Sequence, residues 1–321
     1  MSDTPVSETP ANVPEGAPAN KPVDTRCGFI AILGATNAGK STLVNALVGA
    51  KVSIVSHKVQ TTRVPVRGIA LEGKSQLVFI DTPGIFNPKR RLDRAMVDAA
   101  WGGTEDADAV VVLIDASKGI DDSTAEIFER LKNARMKRIA VLNKVDRIEE
   151  KEKLLALVQH MSKLITFDDV FMISALDGTG VQDLKTHLAK IMPAGPWHYA
   201  EDDVTDVPLR MLAAEITRER IYHWLHDELP YATTVETTSW KTLKDKSARV
   251  EQTIFVERDS QKSIVLGKGG ATIKQISMEA RRGIEEIADH KVHLFLFVKV
   301  RENWGSDPER YREMGLQFPK E

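Results

Sequence analysis

Residues 34–42 read GATNAGKST, a run of small residues that ends in a lysine and two hydroxyls and fits the pattern GxxxxGK[ST]. If a strand stops at Gly34 and a helix restarts near Lys40, residues 34–39 form a turn with bare backbone amides. Such a turn cradles phosphate. Its amides and the helix N-terminus point at the anion, Lys40 reaches the terminal phosphates, and the Ser41 hydroxyl ligates Mg2+. The candidate phosphate contacts are therefore Asn37, Ala38, Gly39, Lys40, Ser41 and Thr42. The pattern alone also arises by accident, so the remaining motifs must decide.

DTPG, Asp81 to Gly84, ends an apolar run. A carboxylate at a strand tip beside a phosphate loop holds the magnesium shell through water, and the Gly84 amide can report a γ-phosphate. NKVD, Asn143 to Asp146, says more. An aspartate there accepts two hydrogen bonds from the N1–H and exocyclic amine of guanine, whereas adenine lacks that donor pair and would leave the carboxylate unpaired. Asn143 is expected to meet the other base edge and the Lys144 stem to lie along the purine face. In SAL, Ser174 to Leu176, the backbone amides, notably that of Ala175, are expected to face the guanine carbonyl. The tripeptide counts only because it ends a strand. In KVQTTRVPV, Thr61 or Thr62 would supply a second magnesium hydroxyl from a mobile segment, with a plain threonine-rich loop as the alternative.

The elements that must position these residues are short apolar runs alternating with helix-period segments between residues 27 and 192. The runs are GFIAIL, SQLVFID, DAVVVLID, KRIAVLN and VFMIS. Near-continuous Val/Ile/Leu strands alternating with helices predict a parallel α/β sheet, with ligands at the carboxyl ends of the strands. Residues 193–208, with three prolines and an acidic cluster, read as a linker. Residues 209–318 then follow a different order, α β β α α β. His223 and His226, flanking Trp224, read as surface or packing residues.

With 321 residues, 42% hydrophobic and 28% charged, the chain is long enough for two domains. A net charge of −2 excludes a globally basic nucleic-acid binder, so any such site must be a local patch. The single cysteine, Cys27, excludes an internal disulfide and reads as a small apolar residue at the mouth of the first strand. Residues 1–26 carry five of the fourteen prolines and no aromatic residue, a composition that predicts a disordered tail rather than a signal or transit peptide. No apolar stretch is long enough to span a membrane. A cytoplasmic protein is expected.

The local patch is legible. GKGG, Gly267 to Gly270, precedes a helix-period segment, and a GxxG loop lets backbone and helix N-terminus approach sugar-phosphate beside a groove that reads about four unpaired bases. Between residues 258 and 282 stand Arg258, Lys262, Lys268, Lys274, Arg281 and Arg282 against only Asp259 and Glu279. Candidate RNA contacts are Gly267, Lys268, Gly269, Gly270, Lys274 and Arg281.

These motifs, in this order, resemble the phosphate-loop GTPases of the translation-factor-related class and, within it, the bacterial Era family. GATNAGKS, QTTR, DTPG, NKVD, SAL and the later VLGKGGATIKQISMEAR carry the resemblance, which covers residues 27 to about 318; the proline-rich extension departs from it. It implies a Ras-like α/β GTPase domain over 27–192, followed by an α+β KH domain of type II over 209–318. It implies GTP/GDP and Mg2+ as cofactors, with Ser41 and Thr62 on the metal and Lys40, Thr62 and Gly84 in catalysis. In related enzymes an asparagine at the position of Asn37 holds a potassium ion. The implied partners are 16S rRNA near its 3′ end and the assembling 30S subunit. DNA is not among them, the protein is expected as a monomer, and any membrane contact would be peripheral, at the inner face. Two other classes stay open: a phosphate-loop kinase, opposed by NKVD, and a constitutive RNA-binding protein with a structural nucleotide domain.

Overall fold

The computed structural model describes residues 24–319. The first domain runs β1 (Arg26–Gly34), α1 (Lys40–Val48), β2 (Val66–Glu72), β3 (Ser75–Asp81), α2 (Arg91–Gly102), β4 (Ala109–Asp115), α3 (Asp122–Leu131), β5 (Lys137–Asn143), α4 (Glu152–Leu164), β6 (Asp169–Met172) and α5 (Val181–Ile191). Its six-stranded sheet has the order β2-β3-β1-β4-β5-β6. Most of the disordered tail expected over 1–26 lies outside the described residues. Its last residue, Arg26, is instead the first of β1.

Strands β1, β3 and β4 are apolar because they are covered on both faces. Along β1, Ile30 and Ile32 point into the core under α1 and α5, while Ala31 and Leu33 point into the opposite core under α3 and α4. Each fully buried Leu, Ile or Val side chain contributes roughly 1.5–3 kcal/mol relative to exposure. The expectation of a wholly parallel sheet is corrected in one place. β2 pairs antiparallel with β3, from Val66 opposite Asp81 to Glu72 opposite Ser75, because the two-residue turn at Gly73 permits a hairpin and no crossover helix intervenes.

The second domain runs α6 (Leu209–Trp224), β7 (Thr234–Thr242), β8 (Ala248–Val256), α7 (Asp259–Leu266), α8 (Ala271–Ala288), β9 (Val292–Val300) and α9 (Pro308–Glu313). Its sheet, β7-β8-β9, pairs β7 antiparallel and β9 parallel to β8. Helices α6 and α8 cover one face. They approach closely at Gly283, where a Cβ would lie 2.9 Å from Ile216 Cγ2. A buried polar pair, the Thr217 hydroxyl donating to Gln252 Oε1 at 2.5 Å, ties α6 to the central strand.

The connector between the domains lies along the first sheet's edge. Ile69 N donates to Val204 O at 2.9 Å, and the Thr205 hydroxyl donates to Arg67 O at 2.6 Å. At the chain's end, Tyr311 and Leu316 bury against Ala95 of α2. Among the described residues no helix is long and apolar enough to cross a membrane.

Candidate nucleotide and RNA sites

The phosphate-loop candidates occupy the turn between β1 and α1, at the carboxyl edge of the sheet. Gly39 caps α1 with φ of 100°, a left-handed conformation that favours glycine. The buried Lys40 ammonium donates to Gly34 O at 3.1 Å and Ala35 O at 3.0 Å. Burial lowers its pKa to about 8, and the Asp81 carboxylate opposes that shift. The Thr42 side chain follows in the first helical turn.

Asp81 ends β3 fully buried, and three hydroxyls converge on one of its oxygens. Ser53 Oγ donates to Asp81 Oδ2 at 2.5 Å, Ser41 Oγ at 2.7 Å and Thr62 Oγ1 at 3.3 Å; Ser41 and Thr62 are 2.9 Å from each other. The other oxygen, Oδ1, is buried without a hydrogen-bond partner. Burial raises the Asp81 pKa, and the hydroxyls and Lys40 pull it back. An orphaned carboxylate oxygen beside two convergent hydroxyls is a donor set of hard oxygens, which fits Mg2+. Of the two threonines, the geometry selects Thr62. Thr61 turns its hydroxyl to Lys58 O at 2.9 Å.

Gly84 is buried, and a Cβ there would lie 2.8 Å from Thr36 Cγ2. The next residue, Ile85, is fully buried in the core and bonds its amide to Gly34 O at 3.1 Å. Asn37, at φ of 61°, donates from Nδ2 to His57 O at 3.0 Å, bridging the phosphate loop to the segment that carries Thr62. A cavity of about 50 Å3 lies between them.

The buried Asn143 amide ties loops together through both of its ends. Nδ2 donates to Ala38 O at 2.8 Å, and Oδ1 accepts from Ala175 N at 2.9 Å. The Ala175 amide is therefore already used, and Asn143 retains one N–H for a ligand. Lys144, at φ of 64°, anchors its ammonium head, Nζ donating to Asn37 O at 2.6 Å and to Asp115 Oδ2 at 2.6 Å, contacts that involve the head and not the stem. Asp146 is exposed in the one-turn helix that follows. Ser174 is buried in its own turn, accepting from Gly178 N at 2.9 Å, and Leu176 is 78% exposed.

Two residues bonded to the candidate site, Ser53 to Asp81 and Asp115 to Lys144, escaped the motif reading. Ser53 is an isolated loop serine with no sequence signal. Asp115 ends β4 as Asp81 ends β3, a signal that was available.

In the second domain, GKGG does not follow the strand pair directly. The short helix α7 intervenes, and the loop caps α8. Gly267, Gly269 and Gly270 all take positive φ. Lys268, Lys274 and Arg281 are exposed, Arg281 lying 3.6 Å from Glu285. His223 and His226 are exposed as well. A cleft of about 1410 Å3 lies between the domains and is lined by both acidic and basic residues, with none of the motif glycines.

The family described as "50S ribosome-binding GTPase" matches residues 29–144, and the family described as "KH domain" matches residues 228–305. The chain is 60% identical over 309 residues to GTPase Era of Afipia carboxidovorans, covering 96% of this chain and all of the relative. It is 61% identical over 295 residues to GTPase Era of Brucella suis, covering 92% and 94%. Among solved structures, Era in complex with MgGDPNP and nucleotides 1506–1542 of 16S ribosomal RNA superposes with a TM-score of 0.86, at 36% identity over 91% of this chain and 99% of the other. An Era variant of Aquifex aeolicus bound to GDP and AlF4− gives 0.87 at the same identity and coverage. A phosphate-loop sheet domain joined to a KH domain, matched along nearly its whole length by these relatives, places the chain in the Era GTPase family.

Proposed function

We propose that the chain is a GTP-hydrolysing switch that binds 16S rRNA near its 3′ end through the KH domain and acts in assembly of the 30S subunit, in the cytoplasm. The observation that carries the nucleotide half is the convergence of Ser41 and Thr62 on Asp81, whose second oxygen has no protein partner. In this reading Ser41 and Thr62 hold Mg2+, and Asp81 orients its water shell. The metal neutralises charge on the phosphates when bound. Asn37 to Thr42 wrap the phosphates, Lys40 exchanges its two loop carbonyls for phosphate oxygens, and the Gly84 amide meets the γ-phosphate. Asp146, exposed and without a protein partner to compete, accepts from guanine. Water attacks the γ-phosphorus, and the bond to the GDP oxygen breaks.

The RNA half rests on the GxxG loop with its exposed lysines and on the 16S RNA held by the structural relative. One matched family is described by the 50S subunit, but that match spans only residues 29–144, whereas the 16S-bound relative also covers the KH domain. The small subunit is therefore preferred. Crosslinking in cells followed by sequencing of the bound RNA tests the assignment. Reads at the 16S 3′ end support it, and reads confined to 23S RNA or messenger RNA overturn it.

A further inference from the structure

Helix α6 of the KH domain is welded to the segment that carries Thr62. The Arg218 guanidinium, with 1% of its side chain exposed, donates through Nη2 to the Thr61 carbonyl. Its Nε donates to Glu215 Oε1 at 2.9 Å, and its plane lies over the Tyr222 ring at 5.2 Å. The Tyr222 hydroxyl donates to Gln60 O at 3.3 Å. Lys58 reaches the Tyr222 and Leu225 carbonyls at the end of α6. Glu219 accepts from Val55 N at 2.9 Å and pairs with Lys51 at 2.6 Å. On the other side Arg63 is buried and donates to Thr233 O at 2.8 Å and Tyr231 O at 3.2 Å. The carbonyls of Gln60 and Thr61 are thus both held by side chains of α6, and the next residue is Thr62.

A buried guanidinium is costly unless its donors are matched; in Arg218, Nε and Nη2 are bonded while the buried Nη1 has no hydrogen-bond partner among the described residues. Burial alone would lower the Arg218 pKa, but the Glu215 carboxylate and the Tyr222 hydroxyl outweigh it and raise it. Arg218 is therefore a fixed cation in a low-dielectric setting, oriented from behind by Glu215, and its bond to a backbone carbonyl is charge-assisted and directional.

We infer that Arg218 is a positioning residue for GTP hydrolysis: from the RNA-binding domain it holds the Thr61 carbonyl, and so presents the Thr62 hydroxyl to the Ser41–Asp81 cluster. Tyr222 supports it through Gln60. The inference rests on the reading of Thr62 as a magnesium ligand. Its chemical consequence is that α6 controls how well the metal site is formed, without touching nucleotide.

The test uses the full chain. GTP turnover is titrated with Mg2+ for wild type, Thr62→Ala, Arg218→Gln, Arg218→Lys, Tyr222→Phe and the double variant Thr62→Ala/Arg218→Gln, with GDP affinity and thermal unfolding measured beside it. A misplacement of about 1 Å costs up to a hundredfold in rate. Arg218→Gln is therefore expected to lower turnover about tenfold to a hundredfold and to raise the half-saturating Mg2+ concentration, with GDP affinity held within about twofold. Arg218→Lys restores part of the rate, and the double variant is no worse than Thr62→Ala alone because both act through one hydroxyl. If Arg218→Gln does not fold, Tyr222→Phe, which removes a single hydroxyl, carries the test and should shift the Mg2+ curve in the same direction. Thr62→Ala shifting that curve while the folded α6 variants leave it in place overturns the inference and keeps the metal site. A silent Thr62→Ala overturns both.

Discussion

A Cβ on Gly39 would lie 2.4 Å from Nδ2 of Asn143, so the left-handed cap of the phosphate loop and the first residue of NKVD are packed as one unit. The same amide bonds the Ala38 carbonyl and the Ala175 amide, joining three loops that are far apart in sequence. Asn143→Ala strands two buried backbone groups at about 1–3 kcal/mol each. The expected outcome is a GTP affinity lowered at least about tenfold, with the unfolding midpoint falling by several degrees. Calorimetric titration and a thermal melt check it, and an unchanged affinity would show that the staple does not organise the site.

Asp146→Asn should move base preference from guanine toward xanthine, because the amide places a donor where the carboxylate accepted. With one unmatched polar contact worth about 1–3 kcal/mol, GTP affinity should drop about tenfold or more while xanthosine triphosphate gains. Asp146 is exposed and remote from the packed core, so the variant should fold as wild type does. Competition between the two triphosphates decides the assignment.

Gly269 sits at φ of 60° with nothing within 4 Å of where a Cβ would be, a conformation that aspartate tolerates better than most residues. Gly269→Asp should therefore fold normally yet set a carboxylate against RNA phosphate. RNA affinity is expected to fall about tenfold or more at low salt, with GTP affinity unchanged. Measuring both on one preparation separates the domains; equal RNA binding would remove the GxxG loop from the interface.

Ile85 occupies the position after DTPG and is fully buried, so no side chain there orients the attacking water. Intrinsic hydrolysis is expected to be slow and to rise when Na+ is replaced by K+ at constant ionic strength, because a cation held near Asn37 would offset developing charge on the phosphates. Asn37→Ala should abolish the difference between the salts. Ribosomal RNA is expected to stimulate turnover further. Identical wild-type rates in both salts would assign the Asn37 side chain to the contact with the His57 carbonyl rather than to a cation.

The chain's local chemistry determined much of this. Runs of β-branched residues marked strands β1, β3, β4 and β5, and glycines with a lysine marked the phosphate loop. The order of the motifs placed them at strand ends around one ligand, because turn chemistry and periodicity depend on neighbours within a few residues. The αββααβ order and the basic flank of GKGG were legible for the same reason. The loop residues by themselves left Thr61 and Thr62 open, the resemblance implied Thr62, and tertiary structure turns the Thr62 hydroxyl to Asp81. It also made Asn143 a staple between loops, engaged Lys144 with Asp115, and seated Arg218 on the Thr61 carbonyl 157 residues away. Those outcomes depend on which buried donors and acceptors are left without water when two domains pack. A buried polar group must find a partner wherever the fold brings one, and no local pattern encodes that distance.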